Sequence, residues 1–211
     1  MTMGYYPIQL EMNGRRCLVV GGGAVAERKI ASLFEAGADI TVVSPEVTAA
    51  IAQWAEKHAL VLIARKYQQG DLAGFQIVFV ATEERDVNDA AYREGRSCGA
   101  WVNAADDPAH CDFILPSVLR RGELTVAVSS GATSPALSRT IREELERYFT
   151  EEYESLAALA ADVRAELQQR SITVAFDSWR HALSGEARRW LTQGETAQAK
   201  KCLLRDLGVA R

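Results

Sequence analysis

Residues 16–29 read RCLVVGGGAVAERK, a continuous apolar run that enters three consecutive glycines and leaves into a segment with helical spacing. An apolar run without polar alternation fits a strand buried on both faces, as in a parallel sheet. Parallel neighbours need a crossover connection, usually a helix. This stretch therefore predicts strand, tight turn and helix, and it commits the start of the chain to an α/β fold.

The following residues continue the same alternation. Val25 to Ala36 carries Ile30, Leu33 and Phe34 at helical spacing and stops before Gly37. Ile40–Val43 (ITVV) is a second strand, and residues 46–58 read as a helix with Val47, Ala50, Ile51 and Trp54 on one side. Leu60–Ile63, Ile77–Ala81 and Trp101–Asn103 read as three further strands, with a helix over 87–97 before the last. The pattern predicts a Rossmann-type, doubly wound parallel sheet over residues 1–112.

After Asp112 the pattern changes. Phe113–Leu119 and Leu124–Val128 are apolar segments joined by Arg120-Arg121-Gly122-Glu123, which reads as an antiparallel hairpin with a four-residue connection. Ser134-Pro135 opens a helix, serine as N-cap and proline at the first helical position. Its apolar stripe is Leu137, Ile141, Leu145 and Tyr148. Hairpin and helix together span 113–150. From 151 to 211 strand signals vanish; Leu156, Leu159, Ala160, Val163 and Leu167 form another helical stripe, and more helices flank Gly185 and Gly194. This last region reads as a small helical domain.

Composition narrows the function classes. A chain of 211 residues buries about 70% of its unfolded surface and needs no disulfide or metal to complete a core. A formal net charge of −4 gives no general attraction to nucleic acid or to an anionic membrane, so an anionic ligand must meet a local basic patch. Cys17, Cys98, Cys111 and Cys202 show no C-x-x-C spacing, which points to reduced thiols rather than a zinc knuckle or a disulfide framework. The amino terminus lacks a secretory pattern, and no apolar run approaches the roughly 18 residues that span a bilayer. The expectation is a cytoplasmic protein.

Gly21-Gly22-Gly23-Ala24-Val25-Ala26 matches G-x-G-x-x-A directly after the first strand and at the mouth of the first helix. In that context it is the dinucleotide fingerprint: Gly21 for the tight turn, Gly23 for close approach of a pyrophosphate, Ala26 for helix–sheet packing. Free amides at Ala24 and Val25 would face the phosphates. The ribose is expected at the end of the second strand, which reads Val43-Ser44-Pro45-Glu46. Glu46 lies slightly late for the acidic partner, and Ser44 is the alternative. No arginine stands there for a 2′-phosphate, which favours NAD over NADP. Thr82, at the end of the fourth strand, either contacts the cofactor or caps the next helix.

Residues 103–117 (NAADDPAHCDFILPS) and 125–135 (TVAVSSGATSP), together with GGGAVAERK at 21–29, resemble the precorrin-2 dehydrogenase/sirohydrochlorin ferrochelatase family, the amino-terminal module of sirohaem synthase. The resemblance runs through most of residues 5–150 and more loosely through the helical tail. It implies NAD-dependent oxidation of precorrin-2 to sirohydrochlorin, with Fe2+ a second substrate in those members that also metallate the product. It implies a homodimer in which the hairpin region interlocks between subunits. It places the working carboxylate at Asp106 and Asn103 beside the nicotinamide.

The residues themselves agree with that assignment, since both dehydrogenation and metallation release protons that a carboxylate near the cofactor can accept. Asp107 reads instead as the turn residue before Pro108. His110 is a candidate proton shuttle or guide for iron, although no dense ligand cluster marks a resident metal site. A substrate rich in carboxylates calls for basic groups and anion donors. Candidates are Arg120 and Arg121 at the hairpin, Ser129 and Ser130 in the next turn, and Arg139 and Arg142 on the helix. The same arginines also suit plain surface pairs with Glu143, Glu144 and Glu146. The chain closes at Arg211 without a further catalytic domain, so methylation of the precursor is not expected of it. Two other classes share the glycine fingerprint: a non-catalytic NAD-sensing module and a dehydrogenase of an unrelated small metabolite. Neither accounts for the aspartate segment or the basic hairpin.

Overall fold

A computed structural model describes residues 4–209 and divides them into two compact units, one ending at Leu115 and one starting at Pro116. The first unit is built on strand β1 (Arg16–Val20), helix α1 (Ala24–Glu35), β2 (Asp39–Val43), α2 (Ala49–Glu56), β3 (Val61–Ile63), β4 (Ile77–Val80), α3 (Arg85–Cys98) and β5 (Trp101–Ala104). Its five strands are parallel in the order β3-β2-β1-β4-β5. This is the expected α/β sheet, and the strand order reverses between β1 and β4, where such sheets open a ligand crevice.

Why β1 is apolar throughout is visible in its packing. Cys17 and Val19 join one core with Ala26, Ile30 and Leu33 of α1 and Ile51 of α2. Leu18 and Val20 join the opposite core with Val78, Val80 and Ala91 of α3. Cys17 packs as a small hydrophobe, fully buried, and burial pushes its thiol up to about 11. All four cysteines are free.

One expectation for this unit is corrected, and the connection from β3 to β4 is irregular. The helix expected over 46–58 is only Ala49–Glu56, because Thr48 caps it by accepting a hydrogen bond from the Ile51 amide. No helix joins β3 to β4. Gly70 (φ +105°) and Gly74 (φ +80°) turn that connection, Leu72 within it is fully buried, and the Glu94 carboxylate accepts from the Tyr67 hydroxyl and from the amides of Gly70 and Leu72.

The second unit holds β6 (Ser117–Arg121), β7 (Leu124–Val128), α4 (Pro135–Tyr148), α5 (Glu152–Gln169), α6 (Phe176–Leu183), α7 (Ala187–Thr192) and α8 (Thr196–Asp206). β6 and β7 pair antiparallel, Arg121 opposite Leu124, so the connection is the two residues Gly122-Glu123 rather than four. Gly122 takes a positive φ of 55° at the first turn position, where the hairpin turns that match strand twist need it. The segment before Ser117 is not strand. Ser134 caps α4 as expected, its hydroxyl accepting from the Leu137 amide. Leu156, Leu159, Val163 and Leu167 of α5 pack with Ala182, Ala187, Leu191, Ala199 and Leu203 of the last three helices. The α4 stripe behaves differently: Leu137 is 52% and Tyr148 65% exposed, and the buried residue of that helix is Ser138. Among the described residues no helix is long and apolar enough to cross a membrane.

Gly95 of α3 tests the packing of the first unit. A Cβ there would lie 2.3 Å from the Val102 Cγ2 on β5. Alanine gains about 1 kcal/mol of helix propensity over glycine, yet overpacking costs about 1–3 kcal/mol. Gly95→Ala is therefore expected to lower the urea midpoint, and an unchanged or higher midpoint would show that β5 yields freely.

Candidate dinucleotide and acid site

The turn after β1 is shaped by what crowds it. Gly21 has φ +112°, and a Cβ on it would sit 2.3 Å from the Ala81 carbonyl oxygen beyond β4. Its amide donates to the Val43 carbonyl at the end of β2 (2.9 Å), so three strand ends converge on one residue. Gly22 is pressed just as closely, by the Glu46 carbonyl (2.2 Å) and the Ser44 hydroxyl (2.8 Å). At Gly23 the situation reverses, for a Cβ would meet nothing within 4 Å. Gly23 is also the N-cap of α1 and offers no side-chain acceptor. The first amides of α1, at Ala24 and Val25 among them, therefore face open space uncapped, as an anion site at a helix N-terminus requires. These residues fit a dinucleotide pyrophosphate.

The loop after β2 completes this side. Ser44 is buried and donates to the Glu46 carbonyl (2.6 Å), so its proton shapes the loop and only its lone pairs remain for a ribose. Pro45 and Glu46 are exposed. Thr82 accepts from the Glu84 amide (3.0 Å) in the turn ahead of α3, whose N-cap is Glu84 without a side-chain bond.

Beyond β5 the chain turns back on itself. Asp112 pairs with Val102 through its amide (2.8 Å) and its carboxylate (2.9 Å). The loop between them carries one turn of 3₁₀ helix at Pro108–His110. Asp106 stands in this loop, exposed, at φ +58°. Among the described residues its carboxylate makes no hydrogen bond or ion pair. A non-glycine residue in the left-handed region is uncommon and costs about 1 kcal/mol or more, least for Asp and Asn.

Neighbouring side chains hold the loop. His110 Nδ1 lies 2.7 Å from the Asp107 carboxylate, and its Nε2 lies 3.4 Å from Asp89 on α3. Arg93 pairs with Asp89 and holds that carboxyl below its usual range. Both nitrogens of His110 are thus occupied by carboxylates, and Asp107 binds that ring as well as preceding Pro108. Asn103 is 7% exposed and bonds to the Phe113 carbonyl through Nδ2 (2.9 Å) and to Lys29 Nζ through Oδ1 (3.0 Å). The sequence reading omitted Lys29. Its signal was its position, three residues after Ala26 and four before Leu33, on the stripe of α1 that faces the core.

The remaining expected site residues lie in the second unit. Arg139 pairs with Glu143 (2.8 Å), and Arg142 with Glu143 (3.1 Å) and Glu146. Arg121 has its Nε within 3.4 Å of Glu151 without a hydrogen bond there, and its Nη1 donates to the Arg120 carbonyl (2.8 Å). Ser130 organises the turn into α4, donating to the Ser134 carbonyl (2.9 Å) and accepting from its amide (3.0 Å), while Ser129 accepts from Gly131.

Residues 8–117 match the family described as "Putative NAD(P)-binding", which is more than half of the chain. The chain belongs to that NAD(P)-binding family. It is also 36% identical to the siroheme synthase of Nitrosococcus oceani over 203 residues, 95% of this chain and 43% of that protein. A siroheme synthase of Methylobacillus flagellatus is 41% identical over 167 residues, 79% of this chain and 36% of that protein. The chain thus spans less than half the length of these curated relatives. The solved structure of SirC, a precorrin-2 dehydrogenase, superposes with a TM-score of 0.76 at 28% identity, covering 97% of this chain and 99% of that one. The resemblance first carried by three motifs extends over nearly the whole chain.

The three glycines make separable demands. Gly23→Ala fills open space and costs the fold about 0.5–1 kcal/mol as a poorer cap. It should melt within about 4 °C of the parent while its NAD dissociation constant rises at least about tenfold, or 1.4 kcal/mol. Gly21→Ala should instead lose about 1–3 kcal/mol of stability or more. Thermal melts and calorimetric titration with NAD check both, and an unaltered affinity in Gly23→Ala would place the phosphates elsewhere.

Proposed function

We propose that this protein oxidises precorrin-2 to sirohydrochlorin with NAD. The observation that carries the reading is the near-complete mutual coverage with SirC, in a chain that keeps both the uncapped glycine turn and an unpartnered Asp106. The balance is precorrin-2 + NAD+ → sirohydrochlorin + NADH + H+. Bound NAD supplies the hydride acceptor. The chain supplies the phosphate cradle at Gly23 and α1, the buried amide of Asn103 toward the nicotinamide end, and the Asp106 carboxylate as the base that takes the proton. The absence of an arginine at 44–46 supports NAD over NADP.

Metallation of sirohydrochlorin with Fe2+ belongs to the same proposal, because removal of pyrrole protons needs the same base. The macrocycle itself supplies the metal's ligands, so a ligand cluster on the protein is not required. Substrate carboxylates would be taken up by Arg120, Arg121, Arg139, Arg142 and the Ser129–Ser130 turn. A second copy of the chain would cover the apolar side chains left open on the hairpin and α4, Val118, Leu137 and Tyr148. The four free thiols suit the cytoplasm, where NAD is held.

Protein mixed with NAD and precorrin-2 should yield sirohydrochlorin by absorbance. NAD binding without product would favour a sensing module instead. Asp106→Asn keeps a residue that tolerates φ +58° but removes the base, so turnover should fall by about 10²–10⁴-fold with NAD affinity unchanged. Full turnover in that variant would remove Asp106 from the chemistry. Adding Fe2+ to sirohydrochlorin with parent or variant reads the metallation step in the same way.

A further inference from the structure

Lys29 is placed where a lysine is not expected. It shares the α1 face with Ala26, Ile30 and Leu33, all buried. Lysines on such faces usually extend their ammonium into water. Lys29 is half-buried, with Nζ 3.0 Å from Asn103 Oδ1 and 4.9 Å from the centroid of the Phe79 ring. Phe79 and Asn103 are register partners on β4 and β5, and Phe113 stacks edge-on against Phe79 at 5.5 Å. Burial pulls the Lys29 pKa down, while Cys111 and Asp106 act in the opposite direction.

An ammonium has donors and no acceptor, so it meets the oxygen of Asn103 and leaves the amide nitrogen to point at the Phe113 carbonyl. Asn103 lies on β5 before the Asp106 loop, and Phe113 lies on the returning segment after it. One line of contacts, Lys29–Asn103–Phe113, therefore ties the phosphate-binding helix to both ends of the loop that carries Asp106. A hydrogen bond to a charged donor in a partly dry site is stronger than a neutral one.

We propose that Lys29 is a positioning residue for the oxidation, fixing Asn103 and through it the Asp106 loop against the dinucleotide-binding helix. The proposal rests on the function proposed above. It differs from a plain packing role in that the charge and the donor matter, and the filled volume does not.

The test uses the full chain with Lys29→Met, which keeps the apolar stem, and Lys29→Arg, which keeps charge and donors. For Lys29→Met, kcat with precorrin-2 should fall at least about tenfold while KM and the NAD dissociation constant stay within about threefold. The Asn103 side-chain amide protons, followed by NMR, should exchange with solvent faster in Lys29→Met than in the parent. Lys29→Arg should recover kcat to within about threefold of the parent, with slow exchange restored.

Parent protein that forms no sirohydrochlorin would refute the function reading itself, and the amide exchange would still judge the Lys29–Asn103 link. With an active parent, the proposal is overturned by a kcat for Lys29→Met within twofold, by a matching loss of NAD affinity, or by equal losses in the Met and Arg variants. Should Lys29→Met not melt cooperatively, Lys29→Gln is measured in its place. Failure of both to fold would make Lys29 a folding residue and overturn the proposal too.

Discussion

A Cβ at position 21 would lie 2.3 Å from the Ala81 carbonyl, on a backbone already turned to φ +112°. Only glycine meets both conditions without strain. The reason is the strand order. β2 and β4 flank β1, and the chain leaving β1 must pass between their ends before α1 can start. Gly21 binds one side through the Val43 carbonyl, and the Ala81 amide returns a bond to Val20 on the other (2.8 Å). The crowding behind Gly21 and Gly22 has a consequence at Gly23. With the turn pinned from behind, α1 begins on an open side with its first amides pointing outward. The same sterics that close the fold thus leave an anion site at its rim.

The opposite wall depends on a second constraint of the same kind. Asp106 occupies a left-handed conformation that an isolated chain would rarely populate. What over-determines it is a set of bonds around it: the Asp112–Val102 pairing, the His110 ring between Asp107 and Asp89, and Asn103 on the Phe113 carbonyl. Each is worth about 0.5–1.5 kcal/mol net, somewhat more where a charge takes part, so together they exceed the strain. Strain held this way at an exposed carboxylate without a partner accords with the role proposed for Asp106. Both walls are carried by one rigid sheet, a better platform for fixed geometry than a free loop.

The sequence disclosed these two walls unequally. The run RCLVV could be read because period and burial agree: every residue from Cys17 to Val20 is inside. The glycine turn could be read because its demands are local. Ser134-Pro135 as a helix start is local in the same sense. The β3–β4 connection offered no periodic signal, and Glu94, distant in sequence, completes its turn. The hairpin length was misjudged because Arg120 and Arg121 look like turn residues yet pair across the ladder with Thr125 and Leu124. Lys29 was visible as a charge on an apolar stripe, but its partner Asn103 is 74 residues away. No local pattern joins them. Asp106 was found through the family's motif; its backbone conformation lies beyond any reading of residue types.

The second unit raises a question of charge. Under the proposed function, a chain with a net charge of −4 would hold a macrocycle bearing many carboxylates and could not rely on its overall field. Under the proposed function, the arginines of α4 would have to be available, yet Arg139 and Arg142 are paired with Glu143 and Glu146. The pairing is not an obstacle. The exposed i,i+4 pair of Arg139 with Glu143 is worth about 0.3–0.5 kcal/mol, and a bidentate substrate carboxylate in a drier site would compete well against that. Under the proposed function these glutamates would give way to a better-matched anion. Arg121 is a different case, since its Nε is buried and lacks a hydrogen-bond acceptor although Glu151 lies 3.4 Å away. A buried, unsatisfied donor on an arginine gains more from an added acceptor than an exposed and paired one does. Among the described basic residues of this unit, Arg121 is the one with a buried side-chain donor that lacks a hydrogen-bond acceptor.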